Sequence, residues 1–405
     1  MQNSSSEPSY SSYSSYQHEG DNTMGAIGPL GIVETEGAKS FTNLVNQHLI
    51  KRRKSYSHQL ETTSPGFLRD DYRIDAHVSR LPTGEGIARF NDTVRGHDIF
   101  IFMDAMNYSV GYNFYGNFKP ITPDEHYQDL KRMILATSGK ARRINVIMPF
   151  LYEGRQHRRS SRESLDCAYM LEELERLGVT NVITFDAHDP RVSNATPISG
   201  FENIPIHLQL IQAIYENVED IDLRGNDIVF IAPDEGAIDR VMYFSNLFHA
   251  PLGTFYKLRD YTKVIDGKNP ILAHDYLGDD VSGKDVIIID DMISSGGSML
   301  DVAKQMKQRG ARRVLCCATF GLFTSGLEDF DNAYDEGYID FVFGSNLIYR
   351  TEELLQRPWW VDVDCSKFVA LIIDALNHDA SMSNLIDPTD KIKEYLDELE
   401  TEEAK

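Results

Sequence analysis

Short apolar runs recur along the chain, separated by stretches whose apolar positions repeat at helical spacing. Asp98–Met103, Ile144–Pro149 and Asn181–Phe185 read as strands, with amphipathic helices over Asp124–Ala136 and Ser164–Leu177 between them. A second series places strands at Asp227–Ala232, Val286–Asp290, Arg313–Ala318 and Ile339–Phe343, and helices near Gly236–Leu247 and Met299–Gln308. This alternation predicts an α/β protein of parallel sheets flanked by helices, and it occurs twice. Two similar lobes joined near residues 210–225 are the simplest architecture. Val286–Ile289 is wholly β-branched, which marks a strand buried on both faces. Ahead of the first series, Leu30–Val33 reads as a short strand. Ala38–Lys51 reads as a helix with Phe41, Leu44, Val45 and Leu49 on one face, and Lys54–Arg69 as a polar surface loop. A helix is expected over Ser366–Leu376, then an exposed acidic helix over Asp390–Lys405. Ser4–Thr23 alternates Ser and Tyr without aliphatic residues, too little apolar surface to offset ordering entropy. The expected division is a disordered tail over 1–27, lobes over 28–215 and 216–385, and an acidic segment over 386–405.

A length of 405 residues fits two domains with ample cores, and a net charge of -22 argues against nucleic-acid or anionic-membrane binding. The four cysteines, at 167, 316, 317 and 365, have neither zinc spacing nor a disulfide-rich pattern and read as core residues of a reducing compartment. No signal peptide and no apolar run of about 20 residues is evident, so a soluble cytoplasmic protein is expected.

Candidate chemistry collects where the apolar runs end. After Val286–Ile289 come two carboxylates, Asp290 and Asp291, then Met292-Ile293-Ser294-Ser295-Gly296-Gly297-Ser298 and a helix with Met299, Val302, Ala303 and Met306 on its apolar face. Two glycines permit a tight turn, hydroxyls supply donors, and the first helical amides face an anion, which together suit a sugar phosphate. The carboxylates can accept from sugar hydroxyls or hold a divalent cation. Pro149 opens a loop carrying Arg155, Gln156, His157, Arg158 and Arg159, whose guanidinium forks suit polyphosphate oxygens. Asp186-Ala187-His188-Asp189 follows the strand at 181–185, a place for a metal or phosphate contact or for a structural histidine. In Asp234-Glu235-Gly236-Ala237, Asp234 is a candidate magnesium ligand or helix cap, and the small residues would let amides approach a diphosphate. Lys257 and Arg259 alternate at the end of a short strand, placed to converge on growing negative charge. Gly278–Asp285 comes close to a P-loop pattern but has Asp285 where a hydroxyl is required, and it precedes a strand instead of following one.

The stretch IIIDDMISSGGS resembles the phosphoribosyl diphosphate (PRPP) loop of type I phosphoribosyltransferases, and in its Asp-Asp-Met form that of ribose-phosphate pyrophosphokinases. Further stretches match the latter family in order: Arg155-Gln156, Asp186-Ala187-His188, Gly200–Pro205, Pro233-Asp234, Lys257-Leu258-Arg259 and Val281–Asp285. The resemblance spans roughly residues 28–385. It implies two phosphoribosyltransferase-type, Rossmann-like lobes and transfer of the diphosphoryl group of ATP to ribose 5-phosphate, giving PRPP and AMP. It assigns catalysis to Lys257 and Arg259. ATP would be bound by Arg155, Gln156, His157 and Glu85, and ribose 5-phosphate by Asp290, Asp291 and the loop Ser294, Ser295, Gly296, Gly297 and Ser298. A diphosphate loop would comprise Asp234, Glu235, Gly236 and Ala237, and Mg2+ would be held by His188 and Asp234. Asp260–Asp279 would be a mobile loop. The chain departs from the family at Ser294-Ser295, where Asp-Thr is usual, at His157, where Asp is usual, and at Leu81-Pro82-Thr83-Gly84-Glu85, the segment an adjacent subunit lends to the adenine. Base recognition would then be looser, or would recruit an aromatic from the insertion around Tyr108–Phe118. The lent segment implies a homo-oligomer. Two other readings are a nucleobase phosphoribosyltransferase and a catalytically silent regulatory homologue; the second matched lobe and the Lys257/Arg259 pair speak against the former. Lys257→Ala is expected to abolish turnover with the melting temperature unchanged; turnover at the parental rate would remove Lys257 from the catalytic set.

Overall fold

The computed structural model describes residues 25–57, 66–224, 227–259 and 271–403, without the side chains of 56, 257–259, 271–274, 400 and 402–403. The residues expected to form the disordered tail, 1–24, lie outside it. In the first lobe β1 (Leu30–Glu34), β4 (Asp98–Phe102), β7 (Arg143–Ile147), β8 (Asn181–Phe185) and β9 (Gly200–Ile204) form a parallel sheet in that order. Two hairpins, β2–β3 (Ala76–Arg80, Gly86–Phe90) and β5–β6 (Gly111–Phe114, Asn117–Pro120), stand outside it. The second lobe is a seven-stranded sheet in the order β12-β11-β10-β13-β14-β15-β16. Its strands are β10 (Ile228–Ala232), β11 (Leu252–Arg259), β12 (Ile271–Leu277), β13 (Asp285–Ile293), β14 (Arg313–Gly321), β15 (Phe341–Ser345) and β16 (Trp360–Val363). All pairs are parallel except β11–β12. The α-helices longer than one turn among the described residues are α1 (Lys39–Tyr56), α2 (Pro123–Ala136), α3 (Asp166–Arg176), α4 (His207–Asn217), α5 (Ile238–Phe248), α6 (Gly297–Gln308), α7 (Glu328–Asp335), α8 (Ser366–Asn377) and α9 (Thr389–Glu403).

Local chemistry accounts for most boundaries. Helix α2 begins with Pro123 in its first turn behind a Thr122/Glu125 capping box. In α6 the buried residues are Met299, Val302, Ala303 and Met306, the face given by the spacing. Four expectations need correction. Strand β13 does not stop at Asp290 but runs to Ile293, because β14 keeps pairing with it through Met292–Phe320 and Ile293–Gly321. Leu44 is exposed, since the apolar stripe of α1 drifts toward Phe41, Val45 and Leu49. The acidic helix α9 is not free of the core: Ile392 and Leu396 are buried in it. Of the span expected to be a mobile loop, Ile271–Leu277 is a strand paired with β11, and 260–270 lie outside the described residues.

The lobes share one core. A single hydrophobic cluster runs from Leu30, Phe102 and Phe185 of the first lobe to Phe230, Ile289 and Phe343 of the second, and it includes Phe368, Val369 and Ile372 of α8. Helix α8 thus lies against α1 although it follows the second sheet. A buried polar lattice fixes that contact. Arg53 Nε and Arg52 Nε donate to the two carboxylate oxygens of Asp374, at 2.9 and 2.8 Å, and Arg53 Nη2 donates to Asn377. Asn377 Nδ2 donates to Asp98, which Arg143 also grips with two nitrogens. Burial alone would raise the Asp374 carboxyl, but Arg53 and Arg52 outweigh it and hold it at about 2. A depressed carboxyl contributes stability above its unfolded value of 3.8, and that contribution is lost as pH falls toward 2. Asp374→Asn is therefore expected to cost about 3–5 kcal/mol at neutral pH, the cost of orphaning a buried cation. It should also flatten the fall in stability between pH 4 and pH 2; urea melts across that range would read both effects.

Candidate active site

The carboxyl ends of β8, β10 and β13 meet at the seam between the sheets, where open parallel sheets leave a crevice. An open cleft of about 780 Å3, continuous with solvent, lies there. Its walls are Arg155 and His188 from the first lobe, and Asp234, Gly236, Arg240, Asp290, Asp291 and residues 292–299 from the second. Residues read separately from distant stretches of sequence are thereby brought together. Others stay apart. Gln156 and Glu235 are exposed but outside the cleft lining, and Ala237 is fully buried behind it. His157 sits behind the rim. Glu85 is at the tip of the β2–β3 hairpin, hydrogen-bonded by Thr83, and does not line the cleft. Lys257 and Arg259 lie at the end of β11, where the β11–β12 register shifts between Leu258 and Arg259; their side chains are outside the described set.

Two contacts across the seam set the geometry. His188 Nδ1 donates to Asp291 Oδ2 at 2.7 Å, which raises the imidazole pKa. Arg240 of α5 grips Asp186 through Nε and Nη2, at 3.0 and 2.8 Å, and the Thr319 hydroxyl donates to the same carboxylate. Asp186 holds this pose with φ at 41°, a strained value for a residue with a side chain, as is common at functional sites. Arg240 Nη1 points the other way, 3.9 Å from Asp290 Oδ1, too far for a hydrogen bond. Sequence reading passed over Arg240. The available signal was a cation on the apolar stripe of its own helix, one turn from Ala237 and Phe244. Burial and the adjacent Asp291 charge push Asp290 well up, while His188 and Arg240 outweigh burial and keep Asp291 low. The two carboxyls thus share one negative charge more readily than two.

Because β13 continues past the carboxylates, the turn is only Ser294-Ser295-Gly296 and α6 opens at Gly297. Gly297 and Ser298 are the first helical residues, so their amides belong to the anion-attracting end of α6. Asp234 caps its turn by accepting from Gly236 N at 2.9 Å.

Two sheets with acidic strand ends facing a hydroxyl- and glycine-rich helix start define a protein of the phosphoribosyltransferase class, with two such lobes in one chain. Residues 32–178 match the N-terminal domain of ribose phosphate pyrophosphokinase, and residues 200–343 match the phosphoribosyl transferase domain. A ribose-phosphate pyrophosphokinase of Mycoplasma genitalium is 30% identical over 274 residues, 65% of this chain and 73% of that protein. Its namesake in Bacillus caldolyticus is 31% identical over 245 residues, 60% and 69% of the two chains. The crystal structure of phosphoribosylpyrophosphate synthetase from Mycobacterium smegmatis superposes with a TM-score of 0.66 at 19% identity, covering 87% of this chain and 99% of that one. The chain belongs to the ribose-phosphate pyrophosphokinase family.

The two glycines of the turn make opposite demands. Gly296 has φ of 87°, and a Cβ there would overlap the Phe330 ring, whereas a Cβ on Gly297 would meet nothing within 4 Å. Gly296→Ala should lower the melting temperature by several degrees, for a cost of about 1–3 kcal/mol. Gly297→Ala should melt with the parent, so that any loss of ligand affinity in it reports the space a ligand occupies; equal melting of both variants would contradict this account of the turn.

Proposed function

We propose that the chain forms PRPP: the 1-hydroxyl of ribose 5-phosphate attacks the β-phosphorus of ATP, the new bond forms to the sugar oxygen, and AMP leaves with the electrons of the broken phosphoanhydride bond. The observation that carries this is the pairing, across one cleft, of the Asp290/Asp291 and Ser294–Ser298 wall with Arg155 and His188. The first wall would accept from the ribose hydroxyls and hold the 5-phosphate on the turn and the opening amides of α6. The second would hold the ATP polyphosphate. Arg240 Nη1, facing the cleft without a hydrogen bond among the described residues, would donate to the transferred group. Lys257 and Arg259 would neutralise charge growing between attacking and leaving oxygens. Such chemistry is mostly positioning and electrostatics.

The donor set fits Mg2+, which binds through one or two carboxylates, substrate phosphates and water rather than a ready-made protein cage. Among the described residues no three His, Cys, Asp or Glu side chains form such a cage. Asp234 would hold the ion, with His188 beside it, and when bound it supplies charge neutralisation on the phosphates. Glu85, away from its own cleft, would serve a neighbouring copy, so we take the working form as a homo-oligomer with ATP and ribose 5-phosphate as its ligands. We place it in the cytoplasm, in keeping with four buried, unpaired cysteines; no described helix is long and apolar enough to cross a membrane. A catalytically silent regulatory homologue is the second reading, favoured by Ser294 in place of an acid and by Leu81 in the adenine segment.

The test is AMP release from ATP and Mg2+ with and without ribose 5-phosphate, with phosphorus species followed by NMR. Sugar-dependent AMP and a new diphosphate on C1, lost on chelation and lowered about 100-fold or more in Arg240→Met, are expected. A folded protein that binds ATP and releases no AMP would establish the silent homologue instead.

A further inference from the structure

Arg155 reaches the cleft from residues 151–165, which carry no regular element between β7 and α3. What keeps it there is therefore a question of anchors on either side. Upstream, Tyr152 stacks on Tyr127 at 4.9 Å between centroids and donates to Asp124. A compact turn then follows, with Gly154 N donating to Leu151 O and Gln156 N to Glu153 O. Downstream, two residues past Arg155, the His157 ring lies 5.5 Å from the His188 ring, and its Nε2 is 3.4 Å from Asp189 Oδ2. Among the described residues, this is the polar side-chain contact that joins the segment to the strand end bearing His188. Asp189 does not depend on it. That carboxylate accepts from Arg191 Nε, Nη2 and backbone N, caps the turn Pro190–Ala195, and is held at about 2 by the Arg191 hydrogen bonds. His157 thus lies against a carboxylate already fixed by other groups.

The imidazole gains little else. Its Nδ1 is buried with no hydrogen-bond partner among the described residues. An orphaned buried nitrogen is unfavourable by itself, so the ring is placed for its Nε2 contact and its packing on His188.

We propose that His157 is a positioning residue: with Asp189 and Arg191 it forms a strut that fixes Arg155 beside His188, and so prepares the polyphosphate end of the nucleotide site. The inference rests on the reading that Arg155 and His188 receive ATP. Without the strut, Arg155 must be ordered when ATP binds, and that ordering weakens affinity without touching the chemistry. A His157 that acted only on stability would not discriminate between the two substrates.

The test is calorimetric titration of the full chain with Mg-ATP, alongside steady-state kinetics. His157→Ala should weaken ATP binding about tenfold and raise KM for ATP similarly, with kcat within about twofold. KM for ribose 5-phosphate and the melting temperature should not move. Gln places an amide nitrogen near the position of Nε2, so His157→Gln should recover most of the affinity. Because His157 acts through Arg155, the double variant Arg155→Met/His157→Ala should bind no worse than Arg155→Met alone. Additive losses, unchanged ATP affinity in His157→Ala, or failure of His157→Gln to recover it would overturn the strut. Since binding is read without turnover, a parent that binds ATP but makes no PRPP would sink the proposed reaction and still decide the strut; a parent that fails to bind ATP would overturn both.

Discussion

The charge buried at the seam between the lobes is the constraint on which the cleft depends. Asp186, Asp290 and Asp291 meet Arg240 at a partly buried seam, where a dielectric below that of water magnifies both attraction and the penalty for a missing partner. Arg240 answers by gripping Asp186 with two nitrogens, and His188 by holding Asp291. Both contacts cross from one sheet to the other, so the site also locks the lobes. Because Asp290 and Asp291 share one negative charge more readily than two, the cleft's carboxylate charge, with Asp234, is close to the positive charge of Arg155 and Arg240. A polyanion in such a cleft finds little net positive charge from the described side chains, so a counter-cation carried in with it lowers the repulsion.

How far the sequence announced this depends on the range of the interactions involved. Local ones were readable: the β-branched run of β13, the apolar face of α6 and the turn with its glycines follow from neighbours within a few residues. The cleft residues Arg155, His188, Asp234, Asp290 and Asp291 could be picked out because parallel sheets gather their strand ends. What escaped was set by partners far along the chain. The continuation of β13 beyond Asp290 is decided by β14, and the burial of Ile392 and Leu396 by a core assembled from both lobes. Arg240 went unread because its partner Asp186 lies 54 residues away in the chain. The contact of His157 with Asp189 was equally invisible: the resemblance assigned His157 to ATP, Asp189 stood in the acidic run around His188, and nothing in the sequence pairs the two.

The shared core argues against two independent units placed side by side. Helix α8 belongs to the second lobe by sequence and to the first by packing, and its ionic lattice reaches Asp98 and Arg143 in the first sheet. The contacts at the cleft and this lattice tie the lobes at separate places, so hinge-like opening of the described residues is resisted. Adaptation to ligands is left to segments that lack such ties.

The Arg53–Asp374 contact also imposes an order of events on synthesis. Its partners are 321 residues apart. At the usual pace of about 5–20 residues per second, Arg53 leaves the ribosome roughly 15–60 s before its counter-ion exists. From the completion of β9 at Ile204 until α8 emerges, the first sheet has all its strands but lacks the helix that covers part of its apolar face. That part of the first lobe's apolar face is therefore covered only when almost the last helix of the chain has emerged.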